Sequence, residues 1–278
     1  MSIAEAVILG LAQGLSEFLP ISSSGHLALL EYFFGIEGES ALTFAVMLHV
    51  GTLISVCAVY WRDIAALFYE LAMVVKDIFA GRGPRVSLNP ERKLGFLILT
   101  ATIPTGAMGI IFKDMFEAMY RMLEVIGAGF LITGTVLIIA ERVGANKNNI
   151  KEMKFRSAFF VGICQGIAIW PGLSRSGTTI FGSLICGLTR ADAVKFAFLI
   201  SIPVILGSAA LEAPKAFKEG IDAAMGLPVA VGMIVAAVSG FIAIKTMIKV
   251  VSNKKLFGFT IYTWMLGAFV LVYTFFLS

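Results

Sequence analysis

Charge is scarce in this chain. Asp, Glu, Lys and Arg make up 14% of its 278 residues, where a soluble domain carries about a quarter. Most of the chain therefore has no ordinary solvated surface. Histidine is rarer still: His26 and His49 are the two copies. The three cysteines, Cys57, Cys164 and Cys186, fall in apolar stretches with no paired spacing. That argues against a disulfide framework or a thiolate metal site and leaves buried free thiols. The opening "MSIAEAVILG" has no basic leader and carries Glu5, so it does not read as a cleaved signal peptide. The net charge of +4 implies no nucleic-acid partner. In a membrane protein it reports where Lys and Arg sit.

Apolar residues are abundant, at 58% of the chain. Six stretches are long enough to cross a bilayer: 41–60, 94–112, 123–140, 193–211, 227–244 and 257–277. Four others form two adjacent pairs, 3–19 with 26–35 and 158–170 with 178–188, each split by Pro, Ser and Gly. Half-length helices around a polar break read as re-entrant hairpins. The stretch 64–80 carries Glu70, Lys76 and Asp77 and reads as an interfacial helix.

The two broken pairs repeat one another. Gln13-Gly14 matches Gln165-Gly166, and Ser22 to His26 matches Ser174 to Thr178, both at an offset of 152. Phe44-Ala45 matches Phe196-Ala197 at the same offset, and Pro20 matches Pro171 after one deletion. The expectation is a single membrane domain over 1–278, with one repeat at about 1–144 and another at about 153–278. A re-entrant pair returns to its own side, so each half crosses three times and the second half is inverted. The fold expected is an all-α polytopic membrane protein, an inverted-topology repeat with six spanning helices and two re-entrant hairpins. If the N-terminus defines side one, the side-two loops 61–93, 141–157, 189–192 and 245–256 hold 16 of the 22 Lys and Arg residues. Side two is then cytoplasmic and both termini lie outside. Matched interrupted segments in two halves point to a binding site near the midplane.

The residues at those breaks carry chemistry. Gln13 and Glu17 are four apart and share a helix face. A carboxylate at this depth costs several kcal/mol unless it is paired. Glu17 with the amide oxygen of Gln13 supplies part of an oxygen-ligand set for a hard cation, Mg²⁺ or Ca²⁺. After Pro20 the helix must restart. Ser22, Ser23 and Ser24 suit its N-terminus and Gly25 permits close approach. Ser174, Ser176, Gly177 and Thr178 repeat the arrangement, and Arg175 adds a guanidinium. Two helix N-termini with an Arg between them suit linked phosphates better than a monocarboxylate. His26, one residue past Gly25, has the chemistry of a general acid, a base or a nucleophile. His49 sits mid-span among apolar residues and reads as a satisfied core residue outside the site.

The pair of motifs "QGLSEFLPISSSGH" and "PGLSRSGTT" resembles the undecaprenyl-diphosphatase family, the bacterial bacitracin-resistance phosphatases. The resemblance covers essentially the whole chain. It implies hydrolysis of undecaprenyl diphosphate to the monophosphate and phosphate, which recycles the lipid carrier for peptidoglycan synthesis in the bacterial cell membrane. It also implies a divalent cation and a site opening to the outer face. Glu17, Ser23, His26 and Arg175 fall on positions the family treats as essential. Gln13 stands where many members carry a second Glu, which removes a negative charge from the implied metal site. The partners implied are the isoprenyl diphosphate lipid, the bilayer and, as a homodimer, a second copy of the chain. Either Ser23 attacks phosphorus, with Glu17 or His26 taking its proton, or a metal-activated water attacks. The rival function is a secondary transporter or lipid flippase, which shares inverted repeats and broken helices. It gives no reason for a nucleophile beside an acid and a base.

Overall fold

The computed structural model describes the backbone of all residues except 37–38, 144–146, 220–225, 254 and 277–278, and the side chains of 39–42 and 212–219 are likewise outside the description. The sequence-expected end of the last span at 277 and the repeat boundary at 144 fall outside the described residues. Within them the chain is all helical, and one isolated bridge joins Asn148 to Leu188. Five helices are long and apolar enough to cross a membrane, and a sixth candidate is a pair bent by 89°. The molecule is a multi-pass membrane protein.

The four short apolar pieces are helices. Helix α1 (Ile3–Phe18) starts at a capping box, in which Ser2 and Glu5 satisfy each other's backbone N–H at 2.8 and 3.2 Å. It stops before Pro20, which disfavours helical geometry in the residue ahead of it. Helix α2 (Ser23–Phe34) follows and ends at Gly35, whose φ of 64° is the left-handed stop that glycine accepts without strain. The second pair is α8 (Phe155–Ile167) and α9 (Arg175–Ile185). Both restarted helices begin earlier than their apolar runs suggest, because Ser22 and Ser174 cap them and draw the next residues into the first turn.

Helix α3 (Glu39–Val59) runs into α4 (Trp61–Phe79) across the 89° bend. Helix α4 leaves Trp61, Phe68, Tyr69, Ile78 and Phe79 exposed, as an in-plane amphipathic helix would. Its polar side is fixed by Arg92, at the start of α5 (Pro90–Ile111), which donates to Glu70 and to Asp77, each at 2.8 Å. The Arg92 hydrogen bond holds the Asp77 carboxyl below the ordinary carboxylate range. A short α6 (Lys113–Met119), which the apolar pattern does not announce, precedes α7 (Leu123–Arg142). The second half continues with α10 (Arg190–Leu199) and α11 (Ser201–Glu219), interrupted at Ile200 near Pro203, then α12 (Gly226–Ser252) and α13 (Phe257–Phe276). Helix α12 runs further than the apolar stretch 227–244. Lys245 and Lys249 are exposed on its end, and Lys245 Nζ lies 4.2 Å from the Phe241 ring centroid.

The packing places the breaks together. Helix α1 lies against α12, α8 lies against α5, and α7 lies against α13. In the first contact a Cβ on Gly10 would come within 2.6 Å of the Gly232 carbonyl, and one on Gly14 within 2.5 Å of the Ala236 carbonyl. In the second a Cβ on Gly162 would come within 2.1 Å of the Ala101 carbonyl. Glycines four apart let helix backbones touch in a membrane, where tight packing replaces the hydrophobic effect as the drive to associate. Thr105 exploits the proximity, donating across to the Gly162 carbonyl at 2.9 Å. Beneath the breaks, Phe18 of α1 meets Phe198 of α10 edge to face, with ring centroids 5.3 Å apart.

Candidate active site

The site begins with two helix caps of one design. At the first break the Ser22 hydroxyl accepts from Gly25 N–H at 3.3 Å and sits 3.2 Å from the Ser24 hydroxyl. At the second break the Ser174 hydroxyl accepts from Gly177 N–H at 3.1 Å and sits 3.2 Å from the Ser176 hydroxyl. The first-turn amides of Ser23, Ser24, Arg175 and Ser176 find no partner among the described residues. Each break thus ends in a positive helix terminus with unsatisfied donors. Gly25 and Gly177 are buried under neighbours: a Cβ on Gly25 would meet the Phe130 ring at 2.5 Å.

Glu17 joins the two breaks. It is buried, with 3% of its side chain exposed, and both of its oxygens are in use. Oε1 accepts from the guanidinium of Arg175, across from the other half of the chain. Oε2 accepts from Ser23 Oγ at 2.5 Å and from Gln13 Nε2 at 3.1 Å. His49 Nε2 stands 3.6 Å from the same oxygen. The carboxylate is therefore matched by opposite charge and by donors, the condition under which a buried charge is tolerated. Ser23, Ser24, Glu17, His49, Gln165, Ser174 and Arg175 line a cavity of about 180 Å³. That holds a phosphate-sized group with a few waters, at about 30 Å³ for each water.

The structure gathers Gln13, Glu17, Ser23, Ser24, Ser174 and Arg175 of the expected set at or beside this cavity. His26 is turned away from it. Its Nδ1 bonds the Ser22 carbonyl at 2.7 Å and its Nε2 bonds the Tyr262 hydroxyl at 2.6 Å. A carbonyl only accepts, so Nδ1 carries the proton and a neutral ring accepts from Tyr262 through Nε2. The ring also stacks on Tyr262 and meets Phe130 edge on, with centroids 5.7 and 5.2 Å away. Thr178, its counterpart 152 residues on, makes the same bond, from Oγ1 to the Ser174 carbonyl at 2.7 Å. Ser22, Gly25, Ser176, Gly177 and Thr178 build the two caps.

His49 and Gln165 are among the cavity residues that escaped the sequence reading. His49 looked like a core residue because its neighbours are apolar. Its depth in a span was the usable signal, since ionisable groups there are costly. Gln165 was visible only as the repeat of Gln13. It donates to Thr105 and to the Ile200 carbonyl at 3.2 and 3.4 Å. The Oε1 atoms of both Gln13 and Gln165 are buried without a partner.

That orphaned Gln13 oxygen tests the fit of a cation. Among the described residues no three His, Cys, Asp or Glu side chains cluster to hold a metal. Mg²⁺ commonly takes one or two carboxylates and completes its shell with water and substrate phosphates. One carboxylate and one unpartnered amide oxygen on the same face fit that partial role. A wider, open groove of about 430 Å³ lies elsewhere, lined by Ile21, Val250, Lys255, Gly258, Phe259 and Tyr262. It includes none of the gathered set.

The chain matches known proteins along nearly its whole length. Residues 6–269 match the family model described as bacitracin resistance protein BacA. The chain is 44% identical over 275 residues to an undecaprenyl-diphosphatase of Alkaliphilus metalliredigens, covering 99% of each chain. It is 41% identical over 278 residues to one from Carboxydothermus hydrogenoformans, covering 98% of this chain and 97% of that one. It is 38% identical over 272 residues to one from Halothermothrix orenii, covering 98% of both.

Proposed function

The chain belongs to the bacitracin resistance protein BacA family, and from that premise we propose that it hydrolyses undecaprenyl diphosphate in the membrane. The products are undecaprenyl phosphate and inorganic phosphate. The enzyme thereby regenerates a lipid carrier for cell-wall synthesis and lowers the supply of the diphosphate form, in keeping with the resistance in the family's name.

The observation that carries the mechanism is Glu17, held at once by a hydroxyl from its own half and a guanidinium from the other. Ser23 attacks the terminal phosphorus. Its proton moves to Glu17 Oε2, 2.5 Å away. A bond forms from Ser23 Oγ to phosphorus as the bridging P–O bond breaks, and undecaprenyl phosphate leaves with the bridging oxygen and its electron pair. Water then releases phosphate from Ser23. Arg175 and the first-turn amides of α2 and α9 face the charge on the phosphoryl oxygens, the electrostatic positioning that phosphoryl transfer chiefly requires. Glu17 and Gln13 would hold a divalent cation, Mg²⁺ or Ca²⁺, which when bound neutralises phosphate charge. His26 has a supporting part: its ring nitrogens are committed to Ser22 and Tyr262, so it fixes the turn that carries Ser23.

The architecture proposed is an inverted repeat with boundaries at about 1–144 and 153–278, whose α1–α2 and α8–α9 pairs are re-entrant hairpins. Reciprocal packing supports it, since α1 of the first half sits on α12 of the second and α8 of the second on α5 of the first. The glycines at these contacts, Gly10 and Gly162, are 152 apart. The proposed setting is the bacterial cell membrane, with both termini outside and the cavity opening outward. Helices α10 and α11 start at Arg190, on the basic side, and the cavity-lining Ile205 and Ser208 lie further along them, toward the other side.

The test is phosphate release from farnesyl or undecaprenyl diphosphate by the detergent-purified protein, with Mg²⁺ or Ca²⁺ and then with EDTA. Metal-dependent release is expected. A folded protein that releases none under any metal contradicts the reading and leaves transport of the lipid as the function.

A further inference from the structure

Release of phosphate from Ser23 needs a water that is held in place. An attacking water turns a lone pair to phosphorus and its O–H bonds to acceptors. Arg175 and the first-turn amides of α2 and α9 are donors, and they suit the phosphoryl oxygens instead. Glu17 has both oxygens engaged by donors. The hydroxyls of Ser16 and Ser208 donate to the Ala12 and Ile205 carbonyls of their own helices. Gln165 Oε1 is different. It is a buried oxygen of a cavity-lining residue, and it has no hydrogen-bond partner among the described residues.

The direction of that amide is fixed. Gln165 is 1% exposed, and its Nε2 lies 3.2 Å from Thr105 Oγ1 and 3.4 Å from the Ile200 carbonyl. A carbonyl only accepts, so the nitrogen faces Ile200 and the oxygen takes the other branch of the amide. Thr105 donates in turn to the Gly162 carbonyl at 2.9 Å, which leaves its oxygen to accept from Gln165. Helices α5 and α8 and the break between α10 and α11 thus hold the amide together. An ionised phosphate, like an amide oxygen, only accepts, so the phosphoryl group itself cannot be the partner of Oε1. The oxygen calls for a donor. In a cavity with room for a phosphate and a few waters, that donor is water.

We propose that Gln165 holds the water that hydrolyses phosphorylated Ser23, an assignment that rests on the phosphatase reading and its serine route above. Orienting an attacking water is one of the few tasks that phosphoryl transfer asks of a side chain. In this step the water oxygen bonds to phosphorus as the P–Oγ bond breaks. The electron pair returns to Ser23 Oγ, one water proton ends there, and phosphate leaves with the other. Gln165 accepts a hydrogen bond from the water and takes up no proton. Thr105 acts through Gln165, as a positioning residue. Ser23 comes from α2 and Gln165 from α8, so nucleophile and water are held by different halves of the chain. Gln165 is the counterpart of Gln13, 152 positions on, and the matched amides would serve a cation in one half and a water in the other.

The experiment mixes the full-length protein in detergent with farnesyl diphosphate labelled in its terminal phosphate, and quenches in acid at successive times. It compares the wild type, Gln165→Leu and Thr105→Val, counting farnesyl phosphate, free phosphate and label bound to protein. Gln165→Leu keeps the bulk and removes the acceptor. The held water predicts a fall in kcat of about 10²-fold with kcat/KM unchanged, because that ratio reports the earlier attack by Ser23. It also predicts a burst of farnesyl phosphate equal to the enzyme and label on the fragment that carries Ser23. Thr105→Val should show the same pattern more weakly. Gln165→Leu with wild-type kcat overturns the inference. So does a loss in which kcat and kcat/KM fall together without labelled protein, as a merely structural role would give. If Gln165→Leu does not fold, Gln165→Met and Thr105→Val carry the comparison. A wild type that releases no phosphate defeats the phosphatase reading itself, and a Ser23→Ala variant as fast as an active wild type defeats the serine route. An active wild type with an unaffected Gln165→Leu defeats only the assignment of the water.

Discussion

The first break of the chain and the second are built alike and equipped differently. Ser22 and Ser174 cap their helices through the same bond, and Ser24 and Ser176 sit at the same 3.2 Å from them. His26 and Thr178 bond the same carbonyl one turn back. The residues 152 positions apart then diverge where chemistry is expected: Glu17 faces Ile169, and Ser23 faces Arg175. One half supplies the acid and hydroxyl, the other the cation. In the repeat proposed above, a duplicated scaffold would hold two helix N-termini against one anion, and unequal substitution at matched positions would turn it into a site.

The largest effects should break this asymmetry. Arg175→Ala and Glu17→Ala should each lower kcat/KM for an isoprenyl diphosphate by about 10³-fold. The counterpart change Ile169→Ala should leave it nearly unaltered, as measured by phosphate release. Equal losses at Glu17 and Ile169 would mean that the cavity senses shape alone. Removing either charge also strands its partner, so both variants should unfold earlier in detergent than Glu17→Ala/Arg175→Ala together.

The packing glycines sharpen the comparison next. Ala at position 14 would drive its methyl into the Ala236 carbonyl at 2.5 Å, whereas Ala at position 166 meets the Met108 sulfur at 2.5 Å. A backbone carbonyl cannot yield, and a methionine side chain can. Gly14→Ala should cost about 1–3 kcal/mol by overpacking, and Gly166→Ala clearly less, read from unfolding in detergent.

The caps give a smaller contrast. Ser22→Ala and Ser174→Ala should each cost about 1 kcal/mol. Glycine should separate them. Ser22 sits at φ 68° and Ser174 at φ −73°, so Ser22→Gly relieves a left-handed strain that Ser174→Gly does not. Ser22→Gly should be the more stable of the two by thermal unfolding.

The α4–α5 clasp gives its contrast in the pH dependence of stability. Arg92 holds Asp77 below its ordinary range. A depressed carboxylate stabilises fully above its unfolded value and loses that contribution as pH falls through its folded value. Asp77→Asn should therefore flatten the acid limb of the unfolding profile below about pH 4. A limb unchanged by the substitution would remove Asp77 from the account.

Much of this was legible in the sequence because membranes enforce simple rules. The long spans follow from apolar length, and the breaks from Pro, Ser and Gly in matched positions. That the two breaks meet near one site was readable from their matched positions, but the Glu17–Arg175 pair was not: the residues alone assigned Glu17 to a cation and Arg175 to phosphate. What stayed hidden depends on side-chain direction. His26 follows Gly25 and seemed poised for catalysis, but the helix turn aims it at Tyr262, 236 residues away. His49 sits in an apolar run, and only the packing of α3 beside α1 brings it to Glu17. The short α6 was equally silent, since no Pro marks its junction, whereas the bend after α3 was implied by an interfacial helix at 64–80.

The most direct test of a site shared by the two breaks is a double-mutant cycle on kcat/KM. It compares Glu17→Gln, Arg175→Gln and the two combined, with a fluorescent isoprenyl diphosphate sensitive enough for slow variants. Residues acting as one unit lose their effect together. The account predicts that the double variant is no slower than the slower single. Losses that multiply in full would contradict it and assign Glu17 and Arg175 to separate tasks.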